Sequence, residues 1–268
     1  MLTTLDFEGV AAVIGPWFLA FSLALVRISA IFIATPVFAT PLIPTPAKIG
    51  LTASVAILAL SVANPTVALM NLNAADFLIC GVQELVVGSV MGIGLSIMFG
   101  ALAFAGQLVG IQMGYAIANV VDPVSSQQVG VLAQLLNLLG LALFVAFDGH
   151  LLVLRALFDS FNLVPLAGAQ PFGDRIVDVL MSEGSRLFAL GLKVALPISC
   201  IVLLVNVALA TVARTVPQVN VFVLGFLFTM SLGLLILMYS LPYTASVLET
   251  MLEDAIRTGV SLTRLFGT

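Results

Sequence analysis

Ionisable residues are rare in this chain, and those set inside apolar sequence are Arg27, Glu84, Asp122, Asp148, Arg155 and Asp159. A charge in an apolar setting is costly, so each is a candidate for ion, proton or substrate contact. Each also has a structural reading, favoured here because a buried charge needs a partner whatever its role. Arg27 and Glu84 are of opposite sign and can pair. Arg155 and Asp159 stand at i, i+4, where a helix brings two side chains together. The single histidine, His150, follows Asp148 by two residues in "FDGH". That spacing does not share a helix face, and one His with one Asp makes no metal centre. A turn carrying a hydrogen-bonded His150 is expected instead. Cys80 and Cys200 lie far apart without CxxC spacing and read as small buried apolar residues. No nucleophile, base and orienting group fall together, and there is no P-loop, dinucleotide fingerprint or HExxH. The residues predict no enzyme, no metal and no cofactor.

The elements that must position these residues belong to a very apolar chain. Of 268 residues, 61% are hydrophobic and 8% charged, against about 25% charged in soluble domains. Mean hydropathy is +1.23. A soluble protein of this composition would expose large apolar patches and aggregate, so the chain is read as an integral membrane protein. A net charge of −4 and the lack of clustered Lys and Arg exclude nucleic acid as a partner. The scattered basic residues form no run that binds anionic lipid tightly. "MLTTLDFEGV" has no basic residue, so the first apolar segment is expected to be retained rather than cleaved as a signal peptide.

The fold class expected is all-α: a membrane bundle of bent, partly broken helical hairpins, one domain over 1–268, with 243–268 an amphipathic C-terminal helix. A first span covers Gly9 to Val26 and ends at Arg27. Pro36, Pro41, Pro44 and Pro46 forbid a continuous helix in the segment that follows. Ile49 to Ala75 is a second stretch with a break at Asn64-Pro65. Leu85 to Val121 carries no charge. As one helix it would be roughly 55 Å long, well beyond the ~30 Å hydrocarbon core, so it turns back or belongs to something taller. With Pro123 to Phe147 it predicts a hairpin whose tip is Val120–Gln128. Asn162 to Gly173 reads as a loop and Asp174 to Lys193 as a surface helix. Val194 to Ala213 reads as a span interrupted by Pro197 and Asn206, and Gln218 to Leu241 as a span between prolines. In the tail, Leu248, Leu252 and Ile256 form an apolar stripe, with Glu253 and Arg257 able to pair on the other side.

Small residues recur every four positions at Gly88, Gly92, Ser96 and Gly100, and again at Gly106, Gly110, Gly114 and Ala118. Such faces let helix backbones approach closely, either within the chain or against other subunits. Gln107 and Gln112 can add interhelical hydrogen bonds. The long apolar run ends in "MGYAIANVVDPVSSQQVG", with one charge and a string of small polar residues. On residues alone this reads as an interhelical loop.

In order along the chain stand "LVRISAIFIATPVF", "PTPAKIGL", "VQELVVGSVMGIGL", "AGQLVGIQMGYAIANVVDP", "LLNLLGLALFVAFDGH", "SFNLVP", "ALPI" and "ARTVPQVNVFVLGF". Taken together they resemble the R component of the bacterial flagellar type III secretion export gate, the FliR family, from about Arg27 into the 230s. The resemblance implies a hetero-oligomer with the P and Q gate components in the flagellar basal body of the bacterial inner membrane. It further implies work with the A and B export components and passage of unfolded flagellar subunits. It implies that Gly114, Tyr115, Ala116, Ile117, Ala118, Asn119, Val120, Val121, Asp122 and Pro123 loop into the pore and plug it. Gly88, Gly92, Gly106 and Gly110 are then helix-packing or subunit-interface positions, and Arg27, Glu84, Arg155 and Asp159 candidate buried charges. Two alternatives stand beside this reading. One is the equivalent subunit of a virulence injectisome. The other is a self-contained secondary transporter using the broken Pro36–Pro46 region with Arg27 and Glu84.

Overall fold

The computed structural model describes residues 7–40, 43–63, 73–115, 130–168, 175–216 and 220–266. Every regular element among them is helical: α1 Phe7–Ala34, α2 Pro36–Ala39, α3 Thr45–Ala63, α4 Ala74–Gln112, α5 Val131–Ala146, α6 Gly149–Leu163, α7 Arg175–Thr215 and α8 Val221–Thr263, closed by a 3-10 turn at Arg264–Phe266. Helices suit this composition because hydrocarbon offers no partner to an unpaired backbone N–H or C=O. Five are long and apolar enough to cross a membrane, over Gly15–Ala34, Thr45–Ala63, Ala74–Gln112, Met181–Thr215 and Val223–Ser261. Helices α5 and α6 meet the same requirement only when taken together, as a broken span or a re-entrant loop, with a bend of 68° between them. The bend sits at Phe147-Asp148, where Asp148 holds a left-handed φ of 54°.

Proline breaks some of these helices and not others. Ahead of Pro36, Thr35 is extended at φ −91°, ψ 115°, as the clash with a following proline ring demands. Pro36 then opens α2, where its missing N–H costs nothing. Pro197 and Pro242, by contrast, lie inside α7 and α8. The separate surface helix and span expected on either side of Lys193 are therefore one helix of 41 residues. The last span and the amphipathic tail are likewise one helix of 43. Pro197 leaves the Lys193 carbonyl without its usual donor four residues on. The Tyr243 hydroxyl lies 3.5 Å from that oxygen and donates to it. Helix α1 also runs through Arg27 to Ala34 rather than ending there, and α6 continues through Asn162 into the stretch expected to be loop.

The chain divides into two compact units: Met1–Ser96 with Asp148–Leu180 and Glu253–Thr268, and Ile97–Phe147 with Met181–Leu252. In the first unit α1 and α4 run parallel. A Cβ at Gly88 would collide with the Arg27 carbonyl oxygen and lie 2.7 Å from Ala30 Cβ. One turn on, a Cβ at Gly92 would collide with that of Ala34, and the Ser96 hydroxyl donates to the Ala34 carbonyl. The four-residue stripe on α4 thus meets a matching stripe on α1, backbone against backbone. The end of α8 packs on another side of α4, with Gly94 against the Ala255 carbonyl (2.6 Å to a built Cβ) and Gly259 against Met91. With Val153 and Ala156 of α6 these helices leave a void of only about 20 Å³ between them.

In the second unit α4 and α5 form an antiparallel hairpin. Gly106 meets Ala133, Gly140 meets Leu102, and Phe99 meets Phe144 at a ring separation of 6.2 Å. Helix α7 lies parallel to α4, through Gly100 on Leu187, Gly191 on Ala101, and an edge-to-face pair of Phe104 and Phe188.

Candidate functional site

Two places gather the residues singled out by sequence. The first is a charge cluster in the first unit. Arg27, from the last third of α1, and Glu84, from the second half-dozen residues of α4, are both fully buried. The guanidinium Nε–H donates to Glu84 Oε2 at 2.5 Å. Nη1 donates to the Ser160 carbonyl (3.2 Å) and hydroxyl (3.4 Å) on α6. The guanidinium carbon lies 4.5 Å from the centre of the Phe161 ring, a cation–π contact. The other Glu84 oxygen accepts from the backbone N–H of Ala167, 3.2 Å away. Ala167 sits at φ 59°, a region alanine seldom adopts. Thus one ion pair joins α1, α4, α6 and the turn after α6. Nη2 of Arg27 has no hydrogen-bond partner among the described residues.

Such a cluster ties these segments together and holds them in position. Arg155 and Asp159 do not join it. Both are exposed on α6, and no ion pair between them exists among the described residues. The expected burial and pairing are corrected here. Val153, Ala156, Leu157, Ser160 and Phe161 form the buried face of α6, which turns positions 155 and 159 outward at the helical repeat. His150 is half-buried in the first turn of α6, and among the described residues no side-chain hydrogen bond is made by it. Cys80 is buried as expected, whereas Cys200 is exposed. No set of three metal-ligating side chains occurs among the described residues.

The second place is the open end of the α4–α5 hairpin. Helix α4 stops in a Schellman motif. The Gly114 N–H donates to the Ile111 carbonyl (3.1 Å) and the Tyr115 N–H to the Gly110 carbonyl (3.0 Å). Gly114 takes φ 87°, the left-handed turn that closes a helix and favours glycine. Just before it, Met113 is fully buried against Gly233 of α8, and the Thr229 hydroxyl donates to the Met113 carbonyl (3.2 Å). On the other strand of the hairpin, the Gly130 N–H donates to Gln107 Oε1 (3.3 Å). Leu132 packs on Gly110, and Ala133 on Gly106, whose built Cβ would lie 2.6 Å from the Ala133 nitrogen. Both ends of the connecting segment are therefore fixed on the last two turns of α4. Of the residues assigned to a plug, Gly114 and Tyr115 are placed here. Ala116, Ile117, Ala118, Asn119, Val120, Val121, Asp122 and Pro123 lie outside the described residues, as does the expected tip at 120–128.

Sequence reasoning placed Arg27 with Glu84, and Gly106 and Gly110 on a packing face. It missed Ser160, Phe161 and Ala167 around the ion pair, and Met113 with Thr229 below the hairpin end. Nothing in their spacing marks them. The signal that existed was Gly114, followed by an aromatic and small residues.

The sequence profile of the family described as Bacterial export proteins, family 1, matches residues 18–255. The chain belongs to this family. It is similar to the flagellar biosynthetic protein FliR of Pectobacterium carotovorum subsp. carotovorum, 33% identical over 243 residues that cover 89% of this chain and 90% of that protein. It is also similar to FliR of Escherichia coli (strain K12), 30% identical with 89% and 90% covered. With FliR of Bacillus subtilis (strain 168) it shares 29% identity, with 93% and 96% covered. The export-family match contains Arg27, Glu84 and both ends of the hairpin connection.

Proposed function

We propose that this chain is a core, non-enzymatic subunit of the flagellar type III protein-export gate in the bacterial inner membrane. Family membership carries the reading. The relatives named above are flagellar biosynthetic proteins matched over nearly their whole length, which favours the flagellar machine over an injectisome. The apolar helices suit a membrane site. Helix α4, at 39 residues, has a length of about 58 Å, more than a single bilayer crossing needs. The subunit assembles with the P and Q components, works with the A and B export components, and passes unfolded flagellar subunits.

Within this reading, 114–123 gates the pore. Two fixed points flank the connection that contains the segment: the Schellman turn at Gly114 and the Gln107–Gly130 hydrogen bond. A gate must leave when substrate arrives, and firm points on either side of the connection suit such a part. Ile117, Val120 and Val121 supply apolar contacts that exclude water, and Asp122-Pro123 favours a turn.

Deleting Tyr115–Pro123 in assembled gate complexes should raise ion leak through the membrane, read as dye release from vesicles or loss of membrane potential in cells. Assembled, export-competent complexes that stay ion-tight after the deletion would remove the plug assignment.

A further inference from the structure

The end of α4 is held by a second helix. The last carbonyls of a helix lack intrahelical donors. At the end of α4, those of Gly110 and Ile111 accept from Tyr115 and Gly114 within the closing turn. The Met113 carbonyl accepts instead from α8, through the Thr229 hydroxyl at 3.2 Å. One turn further along α8 stands Gly233. A Cβ there would collide with Met113 Cε and lie 2.8 Å from Sδ and 2.9 Å from Cγ. The Met113 side chain thus lies along the bare backbone of Gly233, where it is fully buried. Helix α8 turns Thr229 and Gly233 inward at this level and leaves Leu234 and Met238 exposed. Its inner face is cut down where Met113 enters it.

Both parts of this hold are reversible. Methionine is unbranched and flexible, so it can leave a notch without moving a helix. The Thr229 hydroxyl has a single proton, and the Gly225 carbonyl of its own helix lies 2.9 Å away. That proton keeps an acceptor when the Met113 carbonyl moves off. The next residue, Gly114, takes the left-handed φ of 87° and opens the segment assigned to gating. We propose that Met113 is a positioning residue of the gate: seated on Gly233, it fixes the start of 114–123, and unseating it lets ions through. The proposal rests on the gating role of 114–123. The pin itself consists of Met113, Thr229 and Gly233 alone.

The test uses gate complexes assembled in the protein's own cells and reconstituted in vesicles, with ion leak read beside the amount of assembled complex. Gly233→Ala puts a methyl where the Met113 side chain lies. Leak should rise about tenfold, the size of effect that one lost contact has on a two-state balance, with the assembled amount unchanged. Met113→Ala empties the notch and should give the same rise. The double variant should leak no more than either single one, because both break one contact. Gly184→Ala, which adds a methyl with nothing within 4 Å, should leave the gate tight. Additive rises in the double variant, or an equal leak from Gly184→Ala, would overturn the proposal. Deletion of Tyr115–Pro123 separates the pin from the gating role. A leak on deletion, with Gly233→Ala and Met113→Ala both tight, would overturn the pin and leave the gating role standing. Tight complexes in all three would remove the gating role and the pin with it. Loss of assembly in both single variants would make the contact architectural and overturn the proposal as well.

Discussion

Glu84→Ala is expected to destabilise the chain by about 3–5 kcal/mol, the cost of leaving a buried charge without its partner. Arg27 is fully buried and its Nε–H is spent on Glu84. The charge left behind has lost its partner, so the variant must admit water, move the helix or misfold. Two further contacts go with the carboxylate. The Ala167 N–H loses its acceptor, and the turn after α6 loses its anchor to α4. Removing both charges has a different result. Arg27→Met with Glu84→Leu leaves no unpaired ion and fills similar volume, and such replacements of buried pairs are often neutral. The remaining cost is the half-buried Ala167 N–H, about 1 kcal/mol. The double variant should therefore be more stable than either single one. Denaturation in detergent, run as a double-mutant cycle, measures this directly. Additive losses would show that the pair is not coupled and that the cluster does not hold α1 against α4.

The second large effect is steric. Gly88→Leu should disrupt the first unit, because even the first added carbon meets the Arg27 carbonyl oxygen and Ala30. Those atoms belong to helix backbone and to a side chain with no rotamer to change. Overpacking a close-packed site costs about 1–3 kcal/mol. Here the cost should lie at or above the upper end, since parting the helices also stretches the Arg27–Glu84 pair one turn away. Gly81, on the same helix, has nothing within 4 Å of a built Cβ. Gly81→Ala should then be neutral or gain about 0.5–1 kcal/mol from the lower backbone entropy of alanine. Folded yield and thermal midpoint of both variants in detergent make the comparison. Equal behaviour of the two would mean that the small-residue stripe is not a packing face.

These residues also show what was legible in the sequence. The all-helical class, the membrane setting and the α4–α5 hairpin followed from long uncharged runs interrupted by polar residues. The Arg27–Glu84 pair was legible because opposite charges that far inside apolar sequence have few other ways to be stable. The glycine stripes announced close packing but not its partners. Whether Gly88 faces α1 or another subunit depends on register between distant helices, which spacing on one helix cannot encode. Proline misled at Pro197 and Pro242. Its local penalty is fixed, but the freed Lys193 carbonyl finds a donor in Tyr243, and a remote contact of that kind leaves no local trace. The charges at Arg155 and Asp159 misled for the opposite reason. Helix α6 looks uniformly apolar in a linear reading, and only its buried face at 153, 156, 157, 160 and 161 shows that the charged side looks outward.

The central claim is that this chain works as one subunit of an export gate and not by itself. Extraction from its own cells in mild detergent, followed by mass spectrometry of what accompanies it, tests this most directly. The account predicts recovery of the P and Q gate components in fixed ratio to this chain. A folded, solitary protein, obtained reproducibly without them and able to move a small solute when reconstituted alone, would contradict it and give Arg27 and Glu84 to a transporter.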